Sequence, residues 1–78
     1  MKYCGVTSSN VKRLGYDAET KTVQVEFGKP EGPVTGVYEY YPIPESTFDD
    51  ILNAPSVGSA VSKRLVKGGP GIERRKIS

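Results

Sequence analysis

Between Thr22 and Phe27 the chain alternates without a break: Thr22, Gln24 and Glu26 are polar, Val23, Val25 and Phe27 apolar. A period of two predicts a β-strand with one face in a core and one in water. The stretch VKRLGYD before it is rich in β-branched and aromatic residues. Asp17-Ala18-Glu19-Thr20 joins the two, with an aspartate suited to the first position of a type I turn, so 11–27 reads as a hairpin. A four-residue loop there places Leu14 opposite Val23, and Val11 then falls on the wrong face. Gly15, isolated in a strand pattern, is the expected bulge that shifts the phase. GKPEGPVTG, residues 28–36, has three glycines and two prolines and is expected to be a loop. A third strand follows from about Val37 to Tyr41, ended by Pro42, which has no ladder donor.

The period then changes. Pro44-Glu45-Ser46 resembles a helix start, with an acidic residue in the first turn, and Phe48, Ile51 and Leu52 fall at i, i+3 and i+4 as an apolar stripe. Asn53-Ala54-Pro55 stops it. Ser56 suits an N-cap, and Val57, Val61 and Leu65 recur every four residues as the buried face of a second helix, ended by Gly68-Gly69-Pro70-Gly71. The segment IERRKIS shows neither period. The pattern therefore predicts an α+β fold: a small antiparallel three-stranded sheet followed by two helices packed on one face, in the order β-β-β-α-α. Residues 1–67 are expected to form the domain and 68–78 a flexible basic tail.

Alternation also assigns the aromatic run GVYEYYPIP. Tyr38 and Tyr40 share one face of the third strand, while Val37, Glu39 and Tyr41 share the other. A lone carboxylate is costly to bury, so Glu39 turns outward and Tyr38 and Tyr40 turn into the core; the alternative is that they stack on bases. Tyr41 is the exposed aromatic candidate. The outer sheet face, with Glu26 and Glu39 on it, offers a phosphate backbone negative charge.

Composition narrows the chemistry. At 78 residues, 36% hydrophobic and 26% charged, the chain is a single folded domain near the lower size limit for folding without staples. No apolar run approaches the ~20 residues of a membrane span, and no secretion signal is visible, so a cytoplasmic location is expected. Cys4 is the single cysteine and there is no histidine. Neither a disulfide nor a cysteine zinc site can form within the chain, and a catalytic thiol would lack its usual partner, so Cys4 is read as a packing residue. Asp49 and Asp50 are adjacent on a helix, diverge by about 100°, and cannot act as a catalytic pair. No glycine stretch has the spacing of a phosphate-cradling loop. The expectation is a protein without catalysis, cofactor, metal or membrane partner.

Charge points to one end of the chain. Residues 1–54 hold five basic and eight acidic groups, net −3; residues 55–78 hold six basic and one acidic, net +5. Lys63, Arg64 and Lys67 form a ridge beside the apolar stripe of the second helix, and Arg74, Arg75 and Lys76 extend it. Lys12 and Arg13 join it if the first strand lies nearby. This basic end is either an anion-binding surface or a solvated helix flank with its tail.

The order of motifs resembles the KTSC domain, a short module named for the C-terminus of some lysyl-tRNA synthetases and also found alone in bacteria and phages. The matching features are Ser8-Ser9-Asn10, Gly15-Tyr16-Asp17 at the hairpin, Tyr38-Glu39-Tyr40, Pro44 opening the helix, and Ala54, Ser56 and Gly58 before the second helix. They cover roughly 8–65. Two departures are evident: Ser59-Ala60-Val61-Ser62-Lys63-Arg64-Leu65 stands where the family commonly carries an aromatic, an asparagine and an Ile-Arg pair, and the 28–36 segment is longer. The resemblance implies a domain for which RNA binding has been suggested and no catalytic residues are assigned. The leading expectation is a low-specificity module for RNA or single-stranded DNA, using Lys63, Arg64, Lys67, Arg74, Arg75, Lys76, Lys12, Arg13 and Tyr41. The alternatives are a bacterial or phage accessory module that binds a protein or a second copy, and a small nucleotide site.

Overall fold

The hairpin is built as a ladder between β2 (Val11–Asp17) and β3 (Thr22–Gly28). Leu14 stands opposite Val25 and Tyr16 opposite Val23, two residues along from the register the sequence suggested. An even shift leaves every side chain on its expected face. The turn is closed by the Asp17 carboxylate, which accepts the Glu19 N–H at 3.0 Å. The bulge lies between Val11 and Arg13, and Gly15 pairs regularly with Gln24. Looping out at Lys12 lets Val11 join Phe27 on the inner face, where it is 1% exposed.

The computed structural model of the chain describes residues 2–5, 10–29, 31–68 and 71–77, and of Lys2 and Cys4 the backbone alone. The packing role expected of Cys4, together with Ser8, Ser9, Pro30, Gly69 and Pro70, lies outside the described residues. The sheet has five strands in the order β1-β2-β3-β4-β5, all antiparallel, with β1 at Lys2–Gly5, β4 at Val34–Tyr41 and β5 at Glu73–Lys76. Three corrections follow. The sheet is larger than the three strands expected; Glu73–Lys76, expected in a tail, is its fifth strand; and Val34–Gly36 belong to β4 and not to a loop. The first two share one reason. β1 and β5 are edge strands, and the four residues of β5 are exposed, so backbone ladders order it without any apolar alternation.

α1 (Glu45–Leu52) starts after Pro44 and buries Phe48 and Ile51. α2 (Val57–Val61) is capped by Ser56, whose hydroxyl accepts the Ser59 N–H at 3.3 Å, and continues into a π-helical turn over Ser62–Val66. Both helices cover the inner sheet face. Val57, Val61 and Leu65 join Leu14, Val23, Val25, Tyr40 and Ile51 in one core. Tyr40 is 2% exposed, and Tyr38 packs against the core edge-on to Phe27 at 5.8 Å. The inward reading of both rings therefore holds. Among the described residues no helix is long and apolar enough to cross a membrane.

Tyr16 ties the layers together. Its ring stacks on Phe48 at 5.0 Å, and its hydroxyl donates to the Ile43 carbonyl at 2.6 Å, in the segment that crosses from β4 to α1. Burial pushes its phenol above 10.0, aided by the nearby carboxylates of Glu45, Asp17 and Asp49; burial likewise raises Tyr40, with Arg74 offsetting part of the effect. In the unfolded chain both phenols ionise near 10. The stability their burial confers is therefore complete below pH 10 and is lost as pH rises through the higher folded values. The thermal midpoint is expected to stay level from pH 7 to about 9 and to fall above about 10, read by circular dichroism. A flat alkaline profile would show that neither phenol is held in its neutral form by the fold.

Candidate nucleic-acid interface

The π-helical turn after α2 carries Lys63 and Arg64, and Lys67 stands at its C-terminal end. The π-helical turn is closed by the Lys67 N–H, which donates to the Ser62 carbonyl at 2.8 Å. All three side chains line one depression of about 290 Å³, whose apolar wall is Ile43 and Ile72. Gly68 makes the wall possible: a Cβ there would meet the Arg64 carbonyl and lie 2.6 Å from Ile72 Cδ1, so only glycine lets Ile72 close over the helix end. Among the described residues no carboxylate lines the depression. Arg64 also approaches Asp50 at 3.7 Å, with both side chains more than half exposed, a geometry that binds weakly. Lys63 and Lys67 make no ion pair among the described residues.

Strand register decides where the remaining basic residues stand. Arg74 pairs with Tyr40 and Lys76 with Tyr38, so both lie on the face that carries the helices. The Arg74 guanidinium sits 5.4 Å from the centre of the Tyr38 ring. Arg75 pairs with Glu39 and falls on the opposite face, where it donates to the Glu39 carboxylate at 2.5 Å and lies 5.9 Å from the Tyr41 ring. The run Arg74-Arg75-Lys76 is thus not one ridge. An extended backbone sends its cations to both sides of the sheet.

Lys12 and Arg13 do not reach the helix surface. Lys12 Nζ donates to the carbonyls of Gly32 at 2.7 Å and Lys29 at 3.2 Å, holding the β3–β4 loop. Arg13 lies on the outer face, donating to Glu26 through Nε at 2.9 Å and covering the Tyr3 ring at 4.2 Å. Glu26 and Glu39 are therefore each paired with an arginine, and the outer face is less negative than the sequence suggested. A second depression opens there, about 380 Å³, lined by Asp17, Thr20, Thr22, Glu39, Tyr41 and Arg75. Tyr41 is half-buried in it. The sequence carried no signal for this placement, because Ile72 and Ile77 differ in parity and the stretch between them has no apolar alternation.

A sequence profile of the KTSC domain matches residues 7–67. Over 60 residues the chain is 37% identical to a lysine–tRNA ligase of Nostoc punctiforme, a match that spans 77% of this chain and 10% of that protein. The chain thus spans about a tenth of that curated relative. The crystal structure of a KTSC domain protein from Yersinia pestis superposes with a TM-score of 0.76 at 26% identity, over 99% of this chain and 97% of that one.

Proposed function

The chain belongs to the KTSC domain family, and we propose that it is a non-catalytic module that binds RNA or single-stranded DNA with little sequence preference. One observation carries this reading: Lys63, Arg64 and Lys67 converge on a depression that, among the described residues, no carboxylate lines. Exposed cations around an apolar wall, with Arg64 alone of the three in an ion pair among the described residues, suit phosphates, which position a nucleic acid without reading its bases. Arg74 and Lys76 continue the positive surface along the same face, which favours a polymer over a single nucleotide. The relative in Nostoc punctiforme is by name a lysine–tRNA ligase, and that supports RNA as the anion.

Counterion release makes the reading testable. Three phosphate contacts to a single strand give a slope near −2 in log affinity against log salt. Affinity for a labelled single-stranded RNA is expected to fall about twentyfold between 50 and 200 mM salt, measured by fluorescence anisotropy. Absence of binding at 50 mM, or binding indifferent to salt, would refute it.

A specific observation favours one other reading. The outer edge of β5 pairs with no strand among the described residues, and an open edge can accept a strand from another protein or a second copy. Recovery of one protein partner at high salt, with no RNA bound, would select that reading.

A further inference from the structure

We infer that the module holds a single strand across the β5 edge, with phosphates on the helix side and an unstacked base in the outer depression beside Tyr41. This rests on the nucleic-acid reading above and adds a second contact of different chemistry. The two depressions lie on opposite faces of the sheet, and β5 sends Arg75 into the outer one and Arg74 and Lys76 to the face that carries the helices. One strand is only about 4.8 Å wide, so a flexible polymer can pass from one face to the other over its edge. The open backbone groups of that edge face the passing chain.

The outer depression selects its occupant by charge. Asp17 and Glu39 against Arg75 leave it with one net negative charge, which repels phosphate and admits an uncharged ring. Tyr41 offers a π-face, and Glu39 holds the Arg75 guanidinium beside it at 5.9 Å; both planar groups stack on bases. Thr20 and Asp17 line the same space; the Thr20 hydroxyl donates to Thr22 and Asp17 accepts the Glu19 N–H, so each can offer a base edge or a sugar hydroxyl its remaining acceptor capacity. A duplex keeps its bases paired and stacked, so it can use the cations and not this depression.

The test measures anisotropy of a ten-nucleotide RNA, its DNA counterpart, and the blunt RNA duplex of the same sequence, with wild type, Tyr41→Phe, Tyr41→Leu and Tyr41→Ala. Circular dichroism checks the fold of each variant, and Tyr41→Leu keeps the apolar bulk without the π-face. Single strands are expected to bind wild type more tightly than the duplex. Tyr41→Leu and Tyr41→Ala lose roughly tenfold for single strands, Tyr41→Phe stays within about twofold, and duplex affinity and the salt slope do not change. Equal binding of duplex and single strand, or folded Tyr41 variants that bind single strands as wild type does, overturns this inference while leaving salt-dependent binding intact. Failure of wild type to bind any of the three at low salt overturns the nucleic-acid reading itself.

Discussion

Replacing Lys63, Arg64 and Lys67 together by alanine is expected to lower affinity for single-stranded RNA by roughly two orders of magnitude at 50 mM salt. A unit charge 4 Å from another in water is worth about 1 kcal/mol, so three contacts amount to about 3 kcal/mol, and each 1.4 kcal/mol is tenfold. The salt slope should flatten by about two units, because each lost contact to a single strand removes ~0.7. Folding does not confound the result. All three side chains are exposed, and the one ion pair removed, Arg64 with Asp50, is long and solvated and contributes little to stability. Lys12→Ala serves as the contrasting variant, since its ammonium holds loop carbonyls away from the depression. A triple variant with the affinity and slope of wild type would exclude this surface, and a loss that leaves the slope unchanged would mean these residues act through something other than phosphate contacts.

The second large effect concerns Tyr16. Tyr16→Phe keeps the ring stacked on Phe48 and removes the hydroxyl, leaving the Ile43 carbonyl without its donor. An unsatisfied buried carbonyl costs about 1–3 kcal/mol, and for a domain of this size about 1 kcal/mol lowers the midpoint by roughly 4–8 °C. Tyr16→Ala adds a cavity under α1 and is expected to cost about 3–5 kcal/mol or more. A chain this small has only about 4–12 kcal/mol in total, so Tyr16→Ala should lose its cooperative thermal transition near 37 °C. Tyr16→Phe should also fall less steeply above pH 10, having one raised phenol fewer. A Tyr16→Phe midpoint equal to wild type would show that the bond to Ile43 is replaced by water. That bond fixes the segment bearing Ile43, Pro44 and Thr47, which forms one wall of the cationic depression. Loss of Tyr16 should therefore weaken RNA binding through geometry, although the residue touches no ligand.

How much was legible in the chain follows from which interactions left a period in it. Thr22–Phe27 alternates because one face packs under helices and the other lies on the open side of the sheet, where Thr22 is nonetheless buried and Glu26 is covered by Arg13. Val57, Val61 and Leu65 recur because one side of a helix is covered. Tyr38 and Tyr40 could be turned inward from Glu39 alone, since desolvating a carboxylate costs more than exposing an aromatic rim. The ordered motifs were enough for the family, and the three cations that follow α2 were found by their place beside the apolar stripe.

The rest depended on partners far apart in sequence. ERRK buries no side chain, so nothing in its composition announces a strand; the ladder to β4 orders it, and only that ladder sends Arg75 to Glu39 while Arg74 and Lys76 face the helices. Lys12 and Arg13 are adjacent basic residues in the sequence, yet a bulge commits one to loop carbonyls and the cross-strand register gives the other to Glu26. The sequence by itself determined which faces are dry and which end is positive, because burial and charge are carried residue by residue. The tertiary structure alone decided which side of the sheet each cation serves, because an edge strand takes its faces from its neighbour and not from its own residues.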